Sequence, residues 1–161
     1  MIFKSKHKTE LYNILLQLSR NIFFYKKINL IDSFETRIYL MFFHFSILMI
    51  IFKQKEKKFD QEEYDSIFFN IENNLRELGF GDVSVNKKMK DLNKLLYDIL
   101  LKINKKQDKS FKLNENIALK YFETLNDDKM VNFERYFDQF YQFCFELPLE
   151  NVLREALKFK Y

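Results

Sequence analysis

Residues 38–52 read IYLMFFHFSILMIIF, an apolar run that decides the fold of this chain. Only His44 and Ser46 interrupt the run, and Arg37 and Lys53 close its two ends. A bilayer crossing takes about 20 residues, and this run is shorter than that. A helix that is apolar on every side must also be covered on every side. The run therefore predicts a buried central helix, Ile38 to Phe52, in preference to a membrane span.

Apolar residues recur at helical spacing on both sides of the central run, which predicts further amphipathic helices. Asp32 or Ser33 is expected to cap the central helix, and the charged stretch Lys53 to Lys58 is expected to be a solvated connection. Asp60 has capping-box character, and Gly79 is a left-handed stop signal that opens a turn over residues 79–84. The predicted helices cover about residues 10–20, 33–53, 60–78, 85–103, 114–122, 133–145 and a last turn at 149–157.

Composition favours helices as well. The chain has 161 residues, which suits one domain, and only 2 Gly and 1 Pro for turns. These features predict an all-α, single-domain bundle of about six to seven helices, formed by residues 10–161 after a basic tail at residues 1–9. The tail contains Lys4, Lys6, His7 and Lys8, and it is either solvated or in contact with anionic lipid or ribosomal RNA.

Charge and chemistry exclude several classes of function. The 27 basic and 23 acidic residues are interleaved, so no uniformly cationic face for a nucleic acid is expected. Cys144 is the only cysteine, which favours a reducing compartment, and the first segment lacks the pattern of an export signal. His44 is expected to be a hydrogen-bonded core histidine, with a haem or metal ligand as the alternative. We expect no metal, no cofactor and no catalytic residue.

A family resemblance emerges at the two glycines of the chain. Residues 75–85 read LRELGFGDVSV and are followed by Lys87, Lys88, Met89 and Lys90. This stretch resembles the signature of the ubiquinol-cytochrome c chaperone family. Another block lies upstream, is the first in chain order and is similar to the same family: Phe24 and Tyr25, then the stretch from Asp32 to Arg37, then the apolar helix with His44. The resemblance covers about residues 10–100.

The resemblance implies a non-enzymatic assembly factor in the respiratory chain. Members bind newly made cytochrome b for the ubiquinol-cytochrome c reductase (bc1) complex. The chain resembles the α-proteobacterial type, which implies a cytoplasmic location at the periphery of the inner membrane. In mitochondria the family implies the matrix side, near the ribosome and with a small helper protein. No sequence-specific contact with nucleic acid is implied.

Two groups of residues are candidates for these roles. Polar groups around a helix end can bond a partner's loop, although a purely structural turn explains the same pattern. A groove lined by Phe, Tyr and Met is expected to cover an apolar helix of the client. The candidate partner-binding residues are Arg76, Glu77, Gly79, Gly81, Asp82 and Lys88. The candidate structural residues of the first block are Phe24, Tyr25, Asp32, Arg37 and His44.

Two other classes of protein fit the composition. A generic helical adaptor for a soluble partner would have the same composition without the two blocks. A small helical enzyme acting on an isoprenoid or a quinone would also be rich in aromatic residues, but it should contain a polar catalytic group, and none stands out.

Overall fold

The computed structural model describes the backbone of residues 2–106 and 109–161, and side chains from Glu10 onward over the same ranges. Within these ranges the chain is an all-α bundle, with a single β-bridge between Asn104 and Leu113. The predicted fold class is therefore confirmed. The helices are α1 (Ile2–Ser19), α2 (Ile22–Lys26), α3 (Phe34–Gln54), α4 (Gln61–Glu77), α5 (Asp82–Lys102), α6 (Glu115–Tyr121), α7 (Asp127–Glu146) and α8 (Val152–Glu155), the last flanked by the 3-10 turns Leu149–Asn151 and Ala156–Lys158.

Helix α3 lies at the centre of the bundle and packs against α1, α5 and α7. Its apolar stretch is buried from Ile38 to Phe52, except for the half-buried Tyr39, Met49 and Ile50. By length and composition alone α3 is apolar enough to cross a membrane, with a mean hydropathy of 1.5, yet 61% of that stretch is buried inside the fold. The predicted central core helix is confirmed.

Both ends of α3 are held by specific hydrogen bonds. Ser33 caps the first turn, because its hydroxyl accepts the amide of Thr36 at 3.2 Å. At the other end the helix continues through Gln54, and Lys55 Nζ donates to the carbonyl oxygens of Phe145 (2.6 Å) and Leu147 (3.1 Å). The prediction of a merely solvated connection from Lys53 to Lys58 is therefore wrong at its start, because Lys55 ties α3 to the end of α7.

Helices α4 and α5 pack against each other and are joined by a short turn. Asp60 caps α4 through the amide of Glu62, at 3.0 Å. Ile67, Ile71 and Leu75 form the buried side of α4, as its spacing predicts. Helix α5 begins at Asp82, so the turn is shorter than the predicted segment 79–84.

An aromatic cluster fills the space between α2, α3 and α7. Phe24 of α2 lies 4.6 Å from the ring of Tyr136 and 5.9 Å from that of Phe137, measured between centroids. Phe43 of α3 lies 5.6 Å from Phe137. Many aromatic residues of this chain are therefore core residues, which limits how many are free to line a binding surface.

Two features at the start of the chain differ from the prediction. Helix α1 begins at Ile2, earlier than residue 10. The short helix α2 was missed, although Asn21 caps it by accepting the amide of Phe23 at 3.0 Å. The side chains of the predicted basic tail, residues 1–9, lie outside the described part of the chain.

Candidate functional site

The turn between α4 and α5 is built on Gly79. Its φ of 97° lies in the left-handed region, which side chains disfavour. The amide of Gly79 donates to the carbonyl of Arg76 at 3.0 Å, and the amide of Phe80 donates to that of Leu75 at 3.2 Å. These two bonds form a Schellman motif, which ends α4 and directs the chain into α5.

Gly81 has a different part in the same turn. It is the N-cap of α5, with extended backbone (φ −77°) that any residue can adopt. Asp82 follows in the first turn of α5, where a carboxylate interacts favourably with the positive end of the helix dipole. A Cβ added at either glycine would meet no atom within 4 Å. Conformation therefore requires a glycine at position 79, and neither conformation nor space requires one at position 81.

Arg76 and Asp82 join the two helix ends across the turn. The guanidinium of Arg76 donates to the carboxylate of Asp82, and a second carboxylate, that of Glu72, lies 3.7 Å away. Both members of the Arg76–Asp82 pair are exposed. An exposed ion pair contributes little to folding stability, so these two charges remain available to a partner.

A groove beside this turn brings the two family-like blocks together. We call it the turn groove; its volume is about 430 Å³. The start of α3 supplies one wall, and the end of α4, the turn and α5 supply the other. Residues about 40 positions apart in the sequence, such as Ile38 and Leu78, therefore face the same space. The lining residues are Phe34, Glu35, Ile38, Tyr39, Leu75, Leu78, Phe80, Lys88, Asp91, Leu92 and Leu95.

The rim of the turn groove presents apolar surface to solvent. Leu78 is 61% exposed and Phe80 is 39% exposed. The ammonium group of Lys88 lies 4.7 Å from the centroid of the Phe80 ring, a cation–π contact that holds both side chains at the rim. Glu35 and Asp91 are exposed carboxylates on the same groove. The groove thus combines an apolar floor with a charged rim.

A second groove, of about 590 Å³, lies on the other side of Leu78 and Phe34. We call it the α1 groove, because Tyr12, Asn13, Leu16 and Arg20 of α1 line it. Glu77 and Arg37 also line it, and the amide of Asn74 donates to the hydroxyl of Tyr12 there. Of the six predicted partner-binding residues, Lys88 thus lies in the turn groove and Glu77 in the α1 groove. Arg76, Gly79, Gly81 and Asp82 form the turn between them.

The first block is divided between the grooves and the core. Arg37 donates from Nε (2.9 Å) and Nη2 (2.6 Å) to Asp32, and the two residues form an ion pair at the start of α3. Tyr25 donates from its hydroxyl to the carbonyl of Ser19 at 2.7 Å. Phe24 and His44 are fully buried in the aromatic cluster, away from both grooves. The block therefore combines a surface ion pair with core packing.

His44 is a core histidine with both ring nitrogens bonded. Its Nδ1 donates to the carbonyl of Leu40 at 2.7 Å, since a carbonyl can only accept, and its Nε2 accepts the hydroxyl of Tyr136 at 2.8 Å. Burial lowers the pKa of His44 to about 4, an effect that the Leu40 carbonyl only partly opposes. The ring is therefore neutral at physiological pH, and neither nitrogen has a free lone pair for a haem or a metal.

The described residues contain no group of three or more His, Cys, Asp or Glu that could hold a metal ion. Cys144 is buried, and this burial raises the pKa of its thiol to about 12. A thiol with such a pKa is a poor nucleophile at neutral pH. Its side chain has a packing role in α7.

Sequence patterns missed part of the turn groove. Asp91, Leu92 and Leu95 line it from α5, and Tyr39 lines it from α3. The spacing of Leu92 places it on the apolar stripe of α5, but the sequence gives no sign of an opening between α3 and α5 at this level. The half-buried state of Leu92 and Leu95 follows from the angle at which the helices meet, and residue spacing does not encode that angle.

Comparisons with known proteins identify the family. Searches of curated proteins and of solved structures gave no match. The family model described as ubiquinol-cytochrome C chaperone matches residues 26–136, more than two thirds of the chain. The match starts just after the Phe24–Tyr25 pair and extends through the first half of α7, beyond the C-terminal limit of the resemblance that the two sequence blocks indicated. It includes the whole of the turn groove, and the chain therefore belongs to the ubiquinol-cytochrome c chaperone family.

Proposed function

We propose that this protein is a non-enzymatic chaperone that binds newly made cytochrome b through the turn groove, for assembly of the bc1 complex. Family membership supports the chaperone role. The observation that carries the choice of site is the exposure of Leu78 and Phe80 beside an apolar groove, at the junction of the two blocks. A newly made membrane protein displays apolar helices before assembly, and a helix can dock its apolar stripe into such a groove.

The charged rim suits the ends of a membrane helix. Cytoplasmic loops of membrane proteins are enriched in Lys and Arg close to the helix ends. The exposed carboxylates of Glu35 and Asp91 lie where they would pair with such basic residues, while the apolar floor covers the helix itself. The proposed client is thus an apolar helix with a basic flank.

The proposed place of action follows from this client. In a bacterium the protein acts on the cytoplasmic side of the inner membrane, and in a mitochondrion on the matrix side. A ribosome and a small helper protein are further proposed partners, and the exposed Arg76–Asp82 turn is the proposed contact for the helper.

The decisive variant is Leu78→Glu, which adds a charge at the mouth of the turn groove. Because Leu78 is 61% exposed, the substitution should leave the fold intact. We expect recovery of newly labelled cytochrome b with the tagged protein to fall at least tenfold. The matched control is Leu119→Glu, at a 43% exposed leucine of α6 outside the groove, which should recover cytochrome b like the parent protein. Equal recovery with both variants would reject the turn groove as the client site.

A further inference from the structure

A third groove, of about 460 Å³, lies at the opposite end of α3 from the turn groove. We call it the distal groove. The end of α3 and the end of α5 form its walls, and Phe59 of the α3–α4 connection closes it. Its apolar lining residues are Met49, Ile50, Phe52, Phe59, Leu100 and Leu101, and its charged ones are Lys53, Glu56, Lys57 and Lys58.

The lysines of the distal groove are held at its rim by the way α3 ends. The amide of Lys57 donates to the carbonyl of Phe52 at 2.9 Å, and Glu56 adopts a left-handed φ of 58°. The ring of Phe59 then packs at 5.0 Å from Phe52 and 5.4 Å from Phe45. The backbone of Lys57 and Lys58 is therefore held between a helix end and a half-buried aromatic side chain.

Among the described residues, these lysines have no acidic partner. Within the described part of the chain, none of the ion pairs involves Lys53, Lys57 or Lys58, and all three side chains are exposed. In contrast, Lys102 and Lys120 both bind Asp98 at 2.6 Å. With Glu56 as the only acidic residue among its lining residues, the rim of the distal groove carries a net positive charge.

Leu101 projects beside this positive rim and is 80% exposed. An exposed leucine next to several exposed lysines is a combination typical of protein surfaces that contact membranes. At such a surface the apolar side chain enters the interfacial region of the bilayer, and the ammonium groups bind the phosphates of lipid headgroups. A nucleic acid would use the lysines but would gain little from Leu101.

We propose that the distal groove is the surface by which this protein rests on a membrane that contains anionic phospholipids. Each lysine near such a surface strengthens binding by about fivefold. Lys53, Lys57 and Lys58 together account for a factor of about one hundred, and Leu101 adds an apolar contribution that salt does not screen.

This surface would orient the chaperone, a consequence that rests on the proposed function. The distal groove and the turn groove are separated along α3 by roughly 20 Å, from the rise of about 1.5 Å per residue. With the distal groove on the membrane, the turn groove stands clear of the headgroups. A client helix would then be captured before it enters the bilayer.

The chain contains no tryptophan, so one introduced residue reports on the contact. Leu101→Trp should show a blue-shifted fluorescence with vesicles of equal parts phosphatidylcholine and phosphatidylglycerol, and no shift with phosphatidylcholine alone. The matched reporter is Val131→Trp, at a 54% exposed residue of α7, which should show no shift with either vesicle. Triple substitution of Lys53, Lys57 and Lys58 by Gln in the Leu101→Trp protein should weaken binding about a hundredfold.

Several outcomes would overturn this proposal. One is equal shifts for the two reporters. Another is unchanged vesicle binding by the triple lysine variant, which would assign the contact to the basic segment at residues 1–9. A third is a result with three parts: the Leu101→Trp protein binds an RNA oligonucleotide, the triple lysine variant does not, and vesicles bind neither of these two proteins. Leu78→Glu should leave vesicle binding unchanged, so failure of the client site and failure of the membrane surface give different results.

Discussion

At the scale of single residues, His44 links the stability of the fold to pH. In the folded protein its pKa is lowered to about 4 because the ring is fully buried between α3 and α7. In the unfolded chain the pKa returns to about 6.5, so between that pH and about 4 the unfolded state takes up the proton and the folded state does not. The stabilisation is therefore complete above pH 6.5 and is lost as the pH falls towards 4.

This linkage predicts a loss of about 2 kcal/mol in the free energy of unfolding between pH 7 and pH 5 from His44 alone. Urea denaturation at both pH values measures it, with His7→Gln as the background so that His44 is the only histidine. His44→Gln in that background should be less stable at pH 7, and its stability should change much less with pH. An unchanged pH dependence in that variant would contradict the buried, neutral state of His44.

Gly79 is the second residue whose conformation has a measurable consequence. Its φ of 97° means that Gly79→Ala should lower the free energy of unfolding by about 1 kcal/mol or somewhat more. Gly81→Ser is the control, because Gly81 has an ordinary φ and serine is a good N-cap residue for α5. Chemical denaturation compares the two. A Gly79→Ala protein as stable as the Gly81→Ser protein would contradict the left-handed turn.

At the scale of elements, the Arg76–Asp82 ion pair across the α4–α5 turn has either a structural role or a role in partner binding, and one double variant distinguishes the two. Arg76 and Asp82 bind each other, so exchanging them, as Arg76→Asp with Asp82→Arg, keeps an ion pair and reverses its polarity. The exchange places each charge at the unfavourable end of its helix dipole, so the free energy of unfolding should fall by about 1 kcal/mol while the helical content stays close to that of the parent protein. If this turn contacts the helper protein or the client, co-purification of that partner should fall.

For Arg37, in contrast to Arg76 and Asp82, we expect a structural role. Its ion pair with Asp32 joins the start of α3 to the preceding segment, so Arg37→Ala should reduce stability first, by up to about 1 kcal/mol for a partly exposed pair. Circular dichroism read beside co-purification distinguishes the two variants. Normal partner binding by a well-folded Arg76/Asp82 exchange variant would remove this turn from the list of contacts.

At the scale of the whole molecule, local signals predicted most helices but not the grooves. The apolar run of α3 predicted its own burial because no face of it can meet water. Ser33 and Asn114 predicted helix starts because their side chains bond amides two or three residues ahead. The contact of Lys55 with Phe145 and Leu147 joins residues about 90 positions apart, and no local pattern contains it.

The turn groove was beyond sequence reasoning for the same reason. Phe34 and Leu92 line one space only because α3 and α5 pack at a particular angle, and that angle depends on the packing of all the helices around them. The family-like blocks indicated which segments matter. Their meeting at one groove is a property of the three-dimensional structure.

The central claim is that newly made cytochrome b docks in the turn groove, and site-specific crosslinking tests it most directly. A photoreactive amino acid at position 78, introduced in cells that synthesise labelled cytochrome b, should crosslink to that client before the bc1 complex forms. The same amino acid at position 119, exposed on α6, should not. Crosslinks to cytochrome b from position 119 as strong as those from position 78, or none from position 78 in a folded protein, would contradict the account.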